Sequence, residues 1–107
     1  MDSFCEQDYG ISQSEIAANI NKTNAFYGGT NPNSTCILYP NGEVDPWHSL
    51  SILESPGHGI DVLMVPGASH HAWTHPSAPD DQPSVVAART KIRASVTGFL
   101  KQDCTVP

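Results

Sequence analysis

Two nearly uninterrupted apolar runs and one clear helical periodicity organise this chain. The runs CILY at 36–39 and IDVLMV at 60–65 stop at turn residues, Pro40-Asn41-Gly42 and Pro66-Gly67 respectively. Continuous rather than alternating apolarity is the pattern of a strand covered on both faces, as in parallel sheets. Over 83–100, Val85, Ala88, Ile92, Val96 and Phe99 recur at helical spacing, with Asp81 or Gln82 at the cap and Pro83 in the first turn. A weaker helical pattern covers 11–27. Its apolar set is Ile11, Ile16, Ile20 and Phe26, its cap Ser12 or Ser14, and Gly28-Gly29 ends it. A short helix or turn is expected over 47–53, entered through Asp45 and Pro46. Residues 1–10 read as acidic and aperiodic, and 55–59 and 68–82 as loops.

The order is therefore helix, strand, loop, strand, loop, helix, which belongs to the α/β class with a parallel sheet. Two strands cannot stand alone as a sheet, because both faces and both edges need covering. The 107 residues are expected to be the C-terminal part of a single larger α/β domain. By themselves they are expected to fold without cooperativity and to expose apolar faces.

Composition narrows the function classes. The chain is 38 % hydrophobic and 15 % charged, and its 11 acidic against 5 basic side chains give a net charge of −6. Four of the basic residues, Arg89, Lys91, Arg93 and Lys101, lie in the last twenty positions, so the rest is almost purely acidic. That balance disfavours nucleic-acid partners and anionic membrane surfaces. No apolar run approaches the roughly 18 residues of a membrane span, and residues 1–20 hold no signal-peptide pattern. Cys5, Cys36 and Cys104 form no C-x-x-C pair, and their odd number leaves the pairing open. Asn21-Lys22-Thr23 and Asn33-Ser34-Thr35 are N-glycosylation sequons, which favours the secretory route.

Two loops carry candidate chemistry. NGEVDPWH, 41–48, places Asp45 just past the first strand, where open α/β sheets gather functional groups. The competing reading makes Asp45 a helix cap. PGASHHAWTH, 66–75, follows the second strand, and His70 or His71 there suits the base of a Ser-His-Asp relay. Surface histidines, or a metal set of His70, His71 and His75, are the alternatives; no nearby carboxylate or thiol completes an ordinary zinc site. Asp before His, each after a buried strand, is the late order of the α/β-hydrolase triad. No G-x-S-x-G elbow occurs in the 107 residues; Gly67-Ala68-Ser69 is followed by His70-His71.

At these loops the chain resembles the prolyl carboxypeptidase, dipeptidyl peptidase II and thymus-specific serine protease family. That family carries N-G-x-x-D-P-W, matched by Asn41, Gly42, Asp45, Pro46 and Trp47, and G-x-x-H-[HC], matched by Gly67, His70 and His71. Its tail D-P-x-x-[LV]-x-x-A-R is matched by DQPSVVAAR, with Gln82 between Asp81 and Pro83, and FYGG at 26–29 is similar too. Ser69 departs from the usual alanine, and Ala72-Trp73 from the polar residues that often follow the base. The resemblance implies the C-terminal portion of an α/β-hydrolase fold, with late parallel strands and a terminal helix. It implies Asp45 as triad acid and His70 as general base of a serine peptidase that cleaves beside proline near a peptide terminus. Either a carboxypeptidase or a dipeptidyl peptidase is implied, secreted or lysosomal, needing no cofactor and taking proline-containing peptides. The nucleophile and a helical insert would lie upstream, so the chain alone is expected to be inactive. A truncated product or pseudoenzyme without activity is the alternative.

Overall fold

The computed structural model describes residues 4–57 and 59–105; His58, in the loop read at 55–59, lies outside them. The chain divides into two compact units, Met1–Asn33 and Ser34–Pro107. The first holds helices α1 (Phe4–Tyr9) and α2 (Gln13–Tyr27). α1 corrects the aperiodic reading of 1–10: six residues are too few to display a period, yet they close one turn and a half, ended at Gly10. α2 begins at Ser12 in a reciprocal cap. The Ser12 hydroxyl accepts from the Glu15 N–H, and the Glu15 carboxylate accepts from the Ser12 N–H at 2.8 Å. Gly28 ends it in the left-handed conformation, where a Cβ would meet the Asn31 carbonyl oxygen at 2.7 Å. No residue of α2 is buried, and Phe26 and Tyr27 are largely exposed.

The second unit contains the sheet. β1 (Ile37–Gly42) and β2 (Ile60–Val65) are parallel, in register from Ile37 opposite Ile60 to Gly42 opposite Val65. The pairing extends β1 through Asn41-Gly42, which the sequence reading took as a turn. Pro40 is tolerated because the N–H groups facing β2 belong to odd-numbered positions. Ile37 donates to the Gly59 carbonyl and Glu43 to that of Val65, so the missing N–H of Pro40 costs this ladder nothing. The strands are covered less than their apolarity predicts. Ile60 and Val65 are buried, Ile37 to Pro40 only half so, and Asp61 and Met64 are exposed. Helix α3 (Pro83–Phe99) lays Val85 and Ala88 against Val65 and Ala68, with Leu63, Ala72 and Trp73 around them. Ala72 and Trp73, two of the three departures noted above, thus serve packing.

A disulfide joins Cys36, just before β1, to Cys104, beyond α3, and Cys5 is free. Among the described residues no helix is long and apolar enough to cross a membrane.

Asp81 does not cap α3, whose N-cap position is held by Gln82 without a side-chain bond. Its carboxylate pairs with the Arg89 guanidinium and accepts the Ala78 N–H at 2.8 Å. The Arg89 hydrogen bond first, and the Ala78 N–H second, hold Asp81 below the usual carboxylate range. A depressed folded-state pKa stabilises above the unfolded value and is lost as pH falls through the folded one. Acid unfolding of the protein should therefore have a component below about pH 4 that D81N removes. Superimposable acid-titration curves for wild type and D81N, followed by circular dichroism, would contradict this.

Candidate active site

Asp45 is positioned by the way β1 ends. Past Gly42 the chain folds over Glu43-Val44, and the Asp45 N–H returns to the Gly42 carbonyl at 3.2 Å. A 3₁₀ turn, Pro46–Leu50, follows. Pro46 has no N–H to offer, so Trp47 supplies the first donor, and Asp45 Oδ1 accepts it at 2.9 Å. That leaves Oδ2, which lies 2.7 Å from His70 Nδ1. The cap reading of Asp45 therefore holds without excluding the other, because capping uses one oxygen and leaves the second for His70.

The His70 loop is pinned to the Asp45 loop along its entry. The Val44 N–H donates to the Ala68 carbonyl at 3.1 Å, and Glu43 Oε2 accepts the Gly67 N–H at 2.7 Å. Gly42 makes this approach possible. A Cβ there would sit 2.5 Å from the Ala68 carbonyl oxygen and 2.6 Å from that of Ser69, and backbone cannot yield as a side chain does. G42A should therefore destabilise the protein by about 1–3 kcal/mol and slow any reaction at His70 by about 100-fold through misplacement. Wild-type melting and activity for G42A would refute the close approach. Asn41, also buried, donates from Nδ2 to the Ile52 carbonyl at 3.1 Å, securing the chain that returns from the Asp45 loop.

Asp45 is 7 % exposed, whereas the side chain of His70 is 52 % exposed. The His70 hydrogen bond, then the Trp47 N–H, hold the Asp45 carboxyl below its ordinary range. An ionised Asp45 can only accept, so Nδ1 of His70 carries the proton and a neutral ring keeps its lone pair on Nε2. Nε2 makes no hydrogen bond among the described residues. The Trp47 ring meets the imidazole edge-on at 5.0 Å and helps fix its plane. A base held in one tautomer, half-exposed and backed by a fixed anion, is equipped to take a proton from a neighbouring hydroxyl and return it.

His71 stands beside His70 at 4.6 Å in left-handed backbone (φ 42°), and His75 lies 5.5 Å beyond it. Although the three rings form a row, no metal-holding group of His, Cys, Asp and Glu occurs among the described residues. Asn21, on α2, and Asn33 are both exposed. Sequence reasoning missed Glu43, which sits inside the Asp45 motif and whose only signal was that position. It named Arg89 in the tail motif without a role.

Compared with known proteins, residues 1–92 match a family model described as serine carboxypeptidase S28. The chain is 39 % identical over 98 residues to the mouse (Mus musculus) thymus-specific serine protease and 35 % identical over 98 residues to the human (Homo sapiens) one. Each alignment covers 92 % of this chain and 19 % of the relative. The chain thus spans about a fifth of the length of the curated relatives it matches. No solved structure matches it significantly.

Proposed function

This chain belongs to the serine carboxypeptidase S28 family, and from that premise we propose that it supplies the acid and base of a Ser-Asp-His triad in a serine peptidase. The observation that carries the reading is the 2.7 Å bond between Asp45 Oδ2 and His70 Nδ1. A serine hydroxyl attacks the scissile carbonyl while His70 Nε2 takes its proton. His70 then delivers that proton to the leaving amine as the acyl-enzyme forms, and a water repeats the cycle to release the acid. Asp45 holds the tautomer and stabilises the imidazolium between the two steps.

Strand, Asp loop, strand, His loop and helix, in that order, support an assignment to the late part of an α/β-hydrolase domain. Substrates are peptides, cut beside proline near a terminus as a carboxypeptidase or dipeptidyl peptidase does. Exposed sequons and the Cys36–Cys104 bond favour a secreted or lysosomal setting. The nucleophile belongs to sequence outside these 107 residues, so the chain alone turns over no peptide. A catalytically silent product is the second reading. The two separate on a serine-directed fluorophosphonate. Full-length protein should label, and H70A should label far more slowly. An unlabelled full-length protein would sink the peptidase reading.

A further inference from the structure

We propose that Arg89 is a positioning residue for the base: its guanidinium fixes the far end of the His70 loop and so sets the aim of the imidazole. The proposal rests on the reading of His70 as the triad base. Entry to that loop is held by the Glu43–Gly67 and Val44–Ala68 bonds, but these end before His70. Beyond it the chain makes a 3₁₀ turn, Ala72–Thr74, closed by local bonds in which the Thr74 N–H and hydroxyl both donate to the His71 carbonyl, at 2.9 and 2.8 Å. Arg89 closes the span. Its Nε donates to the Trp73 carbonyl at 3.0 Å and Nη2 to the His75 carbonyl at 3.0 Å, while Nη1 pairs with the Asp81 carboxylate.

Each of the three nitrogens thus has its own partner, and the planar fork sets their mutual directions. The side chain of Arg89 is 11 % exposed and that of Asp81 18 %, so solvent competes weakly for these donors. Ala88, the preceding residue, packs in the core with Val65 and Ala68. The guanidinium is therefore anchored to the same rigid cluster that ends β2. Asp81 holds the fork from the opposite side, which keeps it from swinging away from the two carbonyls. A lysine offers one compact ammonium in place of the fork and cannot serve three separated acceptors in the same geometry.

The test is steady-state kinetics of the full-length enzyme on a proline-containing peptide, comparing wild type, R89K, R89A and D45N. R89K and R89A should each lose about 100-fold in kcat with KM changed less than about threefold, the signature of a misaimed base rather than lost substrate binding. If R89A does not accumulate folded, R89K, which keeps the charge opposite Asp81, decides the matter. Wild-type kcat in R89K would mean that charge alone is needed and would overturn the proposal, as would a loss confined to KM. D45N keeps the two questions apart. An active D45N removes the triad reading itself, whereas an inactive D45N beside a fully active R89K removes only the role of Arg89.

Discussion

Replacing Asp45 by asparagine in the full-length enzyme should lower kcat by about four orders of magnitude while leaving the fold intact. The two oxygens of Asp45 do separate jobs, and the substitution separates them. An asparagine carbonyl can still accept the Trp47 N–H, so the cap on the 3₁₀ turn survives. Its amide N–H₂, however, can only donate. Where Oδ2 now accepts from His70 Nδ1, a donor would force the imidazole proton onto Nε2. The lone pair would then face the asparagine instead of the serine, and the emerging imidazolium would lose its counter-charge. D45A removes the cap as well and should cost stability in addition. Thermal melts and turnover measured side by side check both halves; near-normal kcat in a folded D45N would end the assignment.

The second large effect is on stability. Breaking the Cys36–Cys104 bond should cost about 4 kcal/mol, the chain-entropy value for a loop of this size, because the bond links residues 68 apart. In the unfolded chain it removes the freedom of almost the entire second unit. In the folded one it fastens the start of β1 to the tail beyond α3, where the Thr35 hydroxyl also donates to the Cys104 carbonyl. C36S, C104S and the double variant should lose the same amount, since each removes the same bond. Urea midpoints equal to wild type, or losses that add in the double variant, would contradict the pairing.

The resemblance read at 41–47 and 67–71 agrees with the family match across residues 1–92, so the lineage was legible in a few spaced residues. The elements were legible for a different reason. β2 falls at 60–65 and α3 within 83–100 as expected, because apolar continuity and helical period are short-range properties. Ser12 caps α2 by chemistry contained in four residues. By contrast, the end of β1 was misjudged because Pro40-Asn41-Gly42 is turn chemistry locally, and only a parallel neighbour recruits it into a ladder. α1 escaped notice because six residues carry no period.

By itself, then, the sequence determined two strands, the main helices and an Asp loop ahead of a His loop, with Asp45 and His70 as the candidate pair. Tertiary structure decided that the two side chains meet. With Gly42 level with Val65 in the parallel register, both loops leave the same edge of the sheet, and a glycine lets their backbones touch. It also decided which cysteines pair, which oxygen of Asp45 caps and which receives His70, and that Arg89 holds the loop's far end. Apart from the cap, those outcomes join residues 14 to 68 positions apart. Local pattern cannot encode such distances, because they depend on where a folded sheet and helix carry each end of the chain.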